Sequence, residues 1–387
     1  MVKTSLNFDE NAGAKLLEAA KAAMISALEC SANASSVHSS GRRARGFIEA
    51  ARDHVGRVVG VGKDHVIFTS GATEAAALAL SPVILKGRES LPVGQLYVGA
   101  TEHPCVLSGG RLADRLTIVP VDANGVVDLE ALSVLLDGHD MSTGVPMLAL
   151  MLANNETGVL HPVAEAARLV KDHGGFVFCD AVQAIGRLPV DINALGVDFL
   201  SISSHKIGGP QGAGALVLAR EDIRPKPLLT GGGQERGYRA GTENVAAIAG
   251  FGVAAEQVMN HLEDVESVAR MRDRLEAGIQ RISPDVQFAG AQVARLPNTT
   301  MCVVPGIAAE TAVIAFDLEG IAVSSGAACS SGKISPSHVL QAMGFPAELS
   351  SSGIRVSLPA DVSDVEIEQF LTAWRSIEYR LRPNQAA

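Results

Sequence analysis

Short apolar runs alternate with Ala-rich amphipathic stretches along most of this chain, and that alternation constrains its fold more than any other feature. Residues 66–68, 96–98, 146–152, 176–179, 198–202 and 215–218 read as short strands. Residues 16–28, 73–85 and 164–173 carry the spacing of helices with one apolar face. Strands separated by helices form βαβ units, and these assemble into a mainly parallel sheet. A long helical pattern at 245–282 follows the glycine cluster Gly231-Gly232-Gly233. Beyond it lie short strands at 299–304 and 354–358 and helices at 309–318 and 364–381, the pattern of a smaller α+β unit. The expected division is a large domain at 15–258, with residues 1–14 and 259–387 forming the small one. At 387 residues the chain has room for both.

Composition narrows the classes. Hydrophobic residues make up 47% and charged residues 19%, which excludes a disordered chain. Aromatics are only 4%, so the core has to be built from Ala, Val, Leu and Ile. The net charge of −10 argues against a nucleic-acid surface. No apolar run approaches the ~20 residues of a membrane span. The leading residues Met1 to Asn7 lack the apolar stretch of a signal peptide. The five cysteines, Cys30, Cys105, Cys179, Cys302 and Cys329, are scattered without a CxxC pair. Scattered, unpaired thiols fit a reducing cytoplasm and no metal site.

Three features carry chemistry. Asp180 and Lys206 each fall just past an apolar strand, at the sheet edge where open parallel sheets bind ligands. A lysine and a carboxylate at neighbouring strand ends suit pyridoxal phosphate: the amine forms a Schiff base and the carboxylate keeps the pyridine nitrogen protonated. The same pair also fits a surface salt bridge or two unrelated loop residues. Thr69-Ser70-Gly71-Ala72-Thr73-Glu74 joins a strand to an Ala-rich helix, and its small residues leave backbone N–H groups open to an anion. An ordinary helix cap reads the same way. Ser324-Ser325-Gly326-Ala327-Ala328-Cys329-Ser330-Ser331-Gly332 sets one thiol among small residues, which suits either a travelling nucleophile or a structural cysteine. Gly209-Pro210-Gln211-Gly212-Ala213-Gly214 precedes a strand rather than a helix, so it is no dinucleotide fingerprint.

Read together and in order, these segments resemble the cysteine desulfurases, class-V-aminotransferase-like pyridoxal-phosphate enzymes that take sulfur from L-cysteine. The resemblance runs through Asn33-Ala34-Ser35-Ser36-Val37-His38, the Thr69 to Glu74 segment, Thr101-Glu102-His103-Pro104 and Asn154-Asn155-Glu156-Thr157-Gly158. It continues through Asp180-Ala181-Val182-Gln183-Ala184, Ser203-Ser204-His205-Lys206, Gly231 to Gly237 and Gly241-Thr242-Glu243-Asn244. It ends with the Cys329 segment, Pro336-Ser337-His338-Val339-Leu340 and Ile354-Arg355-Val356-Ser357-Leu358. The length of the cysteine segment is similar to the group that includes the housekeeping and nitrogen-fixation desulfurases.

The resemblance implies an aspartate-aminotransferase-like fold, a homodimer and a set of roles. Lys206 would be the Schiff-base lysine and proton shuttle, and Asp180 the partner of the pyridine nitrogen. Gln183 and Asn155 would lie near the ring hydroxyl, with His103 stacked on the ring. Gly71, Ala72, Thr73, Ser203 and His205 would hold the phosphate, with Thr242 reaching across from a second subunit. Arg355 would clamp the substrate carboxylate, assisted by Asn33 and Asn155. Cys329 would take the sulfur as a persulfide, with His103 as the nearest group to accept its proton. An acceptor protein, an iron–sulfur scaffold in the housekeeping enzymes, would then receive the sulfur.

The chain also departs from the family pattern. Asp9-Glu10-Asn11-Ala12-Gly13-Ala14 lacks two threonines usual near the substrate, Ala75-Ala76-Ala77 replaces a more polar run, and few residues follow the last helix, where housekeeping enzymes carry a scaffold-docking tail. The alternatives are a selenocysteine lyase, another enzyme of the same fold, or a non-catalytic regulatory relative. Intact Lys206, Asp180, His103, Cys329 and Arg355 argue against the last.

Overall fold

Leu116–Val119, Glu89–Gly99, Val145–Ala149, Phe176–Asp180 and Phe199–Ser203 lie side by side and parallel, and they form the heart of a nine-stranded sheet. Gly214–Leu218 runs antiparallel to Phe199–Ser203, and Val66–Thr69 pairs antiparallel with Gly214–Leu218 to close that edge. At the other edge Val83–Lys86 forms a hairpin with the start of Glu89–Gly99, and Ile223–Pro225 adds to it. This computed structural model describes residues 6–30, 32–262, 265–326 and 336–382.

The central strands are buried on both faces, which is why they read as unbroken apolar runs. Alternate side chains point to opposite layers. Val177, Leu200 and Val217 join Ala44, Ile48 and Phe251 on one face, while Phe178, Phe199 and Leu216 join Ala75, Leu78 and Leu80 on the other. Glu18–Cys30, Ser39–Val58 and Val245–His261 pack together over the first face.

Two helical expectations are corrected. The helix expected at 73–85 is Ala72–Ala79, and Val83–Lys86 is a strand. Pro82 explains the stop: its ring fixes φ and has no N–H, and it biases Ser81 away from helix. The pattern at 245–282 is two helices, Val245–His261 and Val265–Ile282, rather than one.

The C-terminal region has its own sheet, in which Thr299–Val303 pairs antiparallel with Gly353–Ser357 and with Gln287–Phe288. The N-terminal segment joins it: Leu6–Asn7 pairs with Ile321–Ala322, and Asp9 bridges Ser357. Several of the scarce aromatics form its core. Phe316 stacks on Phe370 with ring centroids 5.2 Å apart, and Phe8 and Trp374 close around them.

One buried ion pair fixes the glycine-rich stretch. The Arg52 guanidinium donates to both Glu235 carboxylate oxygens at 2.6 and 2.7 Å and to the Val66 carbonyl at 2.8 Å. Glu235 also accepts from the Phe68 backbone N–H, and Glu235 and Arg236 both hold positive φ. Removing one partner strands the other charge in the interior. Glu235→Ala should therefore cost about 3–5 kcal/mol, read as a lower midpoint of urea unfolding, whereas an unchanged midpoint would show that the pair contributes nothing.

Candidate active site

Asp180 ends the strand Phe176–Asp180, and Lys206 lies three residues beyond the end of its parallel neighbour Phe199–Ser203. Both therefore reach the same edge of the sheet, the edge where backbone direction and crossover helices leave room for a ligand. The buried Asp180 Oδ1 accepts from the Val182 N–H at 3.0 Å and the Ser201 hydroxyl at 3.1 Å. Burial raises its carboxyl above the ordinary range, while His103 and Lys206 pull it back down. A fixed positive charge set against it would hold it ionised.

The N-terminal segment crosses this edge and makes Asn11 a hub. The Lys206 ammonium donates to the carbonyls of Asn11 and, at 2.9 Å, of Ala12. Gln183 Nε2 donates to the same Asn11 carbonyl, and Asn11 Nδ2 donates to the carbonyl of Asn155 at 3.2 Å. Burial lowers the Lys206 amine to about 8, and Arg355 and Arg187 push in the same direction. A neutral amine, the form that attacks carbonyl carbon, is thus reached near physiological pH.

His103 caps the short helix Pro104–Leu107, its Nδ1 accepting from the Cys105 backbone N–H and lying 3.0 Å from the Cys105 sulfur. Burial lowers its pKa. Gly71 leads into Ala72–Ala79 and offers no side chain to the first turn; a Cβ placed on it would meet nothing within 4 Å. Open space at an uncapped helix N-terminus suits an anion. Ser203 Oγ and His205 Nδ1 are paired at 2.9 Å, the Ser204 hydroxyl is buried without a partner among the described residues, and burial takes the His205 ring to about 4. Gly71 packs directly on Gly214, so Ala72, Thr73 and the end of the sheet close on one another.

Arg355, from Gly353–Ser357, is 3% exposed. Its Nη1 donates to the Asn155 carbonyl at 3.0 Å and its Nη2 to Asp9 Oδ1 at 2.6 Å, while its Nε is buried with no partner among the described residues. An orphaned guanidinium N–H beside Lys206 is a place for a carboxylate. The structure thus brings Lys206, Asp180, His103, Gln183, Asn155 and Arg355 into one electrostatically linked group. It does not bring in Asn33 or Thr242, which are exposed on this chain. Cys329 lies outside the described residues.

Sequence reasoning missed the partners. Asp9 is the counter-charge of Arg355; a buried arginine requires one, and that requirement was the available signal. Glu102, fully buried beside Asp180, accepts from the Met151 N–H, and burial holds its carboxyl well above the ordinary range. Nothing in local spacing marks it.

The aminotransferase class-V family model matches residues 6–370. A cysteine desulfurase of Enterobacter agglomerans is 40% identical over 351 residues, covering 90% of this chain and 86% of the relative. The cysteine desulfurase NifS of Azotobacter vinelandii is 39% identical, with 90% and 86% covered. Among solved structures, a NifS-like protein from Rickettsia africae superposes with a TM-score of 0.87 at 35% identity, covering 96% of this chain and 99% of that one. SspA in complex with cysteine gives a TM-score of 0.75 at 26% identity, with 92% and 99% covered. The chain belongs to the class-V aminotransferase family, among its cysteine desulfurases.

Proposed function

We propose that this protein is a pyridoxal-phosphate-dependent cysteine desulfurase that converts L-cysteine to L-alanine and leaves the sulfur as a persulfide on Cys329. The single observation carrying this reading is that half-buried Lys206, at the sheet edge, lies within electrostatic reach of both buried Asp180 and buried Arg355. The residues fit the cofactor. Lys206 would hold its aldehyde carbon, Asp180 its pyridine nitrogen, His103 its ring face, Gln183 and Asn155 its ring hydroxyl. Gly71, Ala72, Thr73, Ser203 and His205 would hold its phosphate. Bound there, pyridoxal phosphate supplies an electron sink for the bonds of the substrate's Cα and Cβ.

The chain's own groups do the rest. Arg355, with Asn155 and Asn33, would orient the substrate carboxylate. Lys206, once released, would carry the Cα proton. The Cys329 thiolate would attack the substrate sulfur as the Cβ–S bond breaks, the bond's electrons going to carbon. L-cysteine and an enzyme thiol become L-alanine and an enzyme persulfide, with no outside oxidant. A thiol on an acceptor protein, such as an iron–sulfur scaffold, would then take the outer sulfur.

We read 15–258 as the cofactor-holding unit and 1–14 with 259–387 as the second, supported by the separate aromatic core of the latter. The free state of Cys30, Cys105, Cys179 and Cys302 supports work in a reducing compartment such as the cytoplasm. We read exposed Thr242 and Asn33 as serving a site shared across a homodimer. Support comes from apolar side chains exposed close to Asn33 in the chain, with Val37 88% and Ile25 50% exposed. Sedimentation should give a dimer; a fully active monomer would contradict this.

Adding pyridoxal phosphate should give a yellow protein absorbing near about 400 nm. Capture of the cofactor by Lys206, read as yellow colour forming on mixing and then fixed by borohydride, should be faster as pH rises through about 8, because the free amine must lose its proton to react. Trapping that rises only toward the ordinary lysine range, or label spread over surface lysines, would count against the assignment.

A further inference from the structure

Glu156 belongs to no role assigned above, yet it is buried at the point where two distant stretches of chain converge. Its Oε2 accepts from the Ser337 hydroxyl at 2.6 Å, and Ser337 also caps the helix His338–Ala342 by accepting from the Leu340 N–H. On the other side Gly326 is pressed against the same oxygen: a Cβ there would stand 2.8 Å from Glu156 Oε2 and 2.6 Å from Met301 Cε. Gly326 also holds φ +77, a left-handed conformation that favours glycine. Just upstream, Ser324 exchanges backbone hydrogen bonds with Arg355. One carboxylate therefore touches both Gly326 and Ser337, the described flanks of the stretch that carries Cys329. It sits next to Asn155, whose carbonyl holds Arg355.

We infer that Glu156 is a positioning residue that fastens both flanks of the cysteine-bearing stretch to the substrate-binding group. This deepens the desulfurase reading and rests on it. Glu156 touches neither substrate nor cofactor; its effect would fall on how often the thiol reaches the substrate sulfur. Burial raises its carboxyl pKa, so glutamine, which resembles the protonated acid and can still accept from Ser337, should substitute for it.

The test compares Glu156→Ala, Glu156→Gln and Ser337→Ala in the holoenzyme. Misplacing a reacting group by about 1 Å costs up to about 100-fold, so Glu156→Ala should lower kcat for persulfide and alanine formation by about tenfold or more. KM for L-cysteine and its absorbance change on binding should stay within about twofold, since Arg355 and Lys206 are untouched. Glu156→Gln should return the rate to within about threefold of wild type, and Ser337→Ala should show the same split as Glu156→Ala. Wild-type rates in both alanine variants, or loss of L-cysteine binding in step with kcat, would overturn the inference. If Glu156→Ala is insoluble, Ser337→Ala decides alone. A wild-type protein that forms no persulfide would instead defeat the desulfurase reading itself.

Discussion

Replacing Cys329 by alanine is expected to abolish persulfide and alanine formation while leaving L-cysteine binding intact. The proposed sheet-edge group would bind the amino acid and loosen its bonds without a thiol, because Lys206, Asp180 and Arg355 would supply the amine, the counter-charge and the carboxylate clamp. Only removal of the sulfur atom needs a nucleophile that attacks sulfur. Three of the four other cysteines are poorly placed to stand in. Burial pushes Cys105 to about 12 and raises Cys179 and Cys302, so their thiolates are scarce at neutral pH. Alanine formation by Cys329→Ala should fall by about 10³-fold or more. Single alanine replacements at Cys30, Cys105, Cys179 and Cys302 should each keep most activity. Alanine and sulfide at the wild-type rate from Cys329→Ala would point to elimination without a covalent sulfur intermediate.

Lys206→Ala is the second large loss. In the proposed reaction this side chain would have two tasks, covalent capture of the cofactor and movement of the Cα proton, and positioned general bases contribute about 10²–10⁴-fold. Alanine formation should drop by about 10³-fold, and borohydride should no longer fix pyridoxal phosphate to the protein. Non-covalent binding should persist, because the uncapped start of Ala72–Ala79 and the Ser203–His205 pair are untouched. A variant that still turns over at the wild-type rate would remove Lys206 from the mechanism.

Much of the fold was legible because buried parallel strands leave a plain mark. Residues 176–179 and 215–218 are apolar on both faces. Segments whose stability comes from partners were less legible. Ser39–Val58, a 20-residue helix, carries three arginines in its first seven residues, and its burial depends on Val245–His261 lying across it. The strand Val83–Lys86 hid behind an Ala-rich helical pattern that only Pro82 interrupts. In the site, Asp180 and Lys206 stood out because a strand end followed by a charged residue is visible in a single stretch of chain. Asn11, Asp9 and Glu102 did not, because their importance lies in contacts with residues far along the chain. Asn11 meets Asn155, Thr299 and Asn298, residues 144, 288 and 287 positions away.

The central claim is that sulfur passes from L-cysteine to Cys329. The most direct measurement is intact and peptide mass spectrometry of the cofactor-loaded protein after brief exposure to L-cysteine without reductant, with alanine assayed in the same sample. The account predicts a gain of about 32 Da, one sulfur atom, on the peptide containing Cys329, with one alanine released for each sulfur gained. Alanine without added sulfur, or sulfur on Cys105 or Cys30 with Cys329 unmodified, would contradict it.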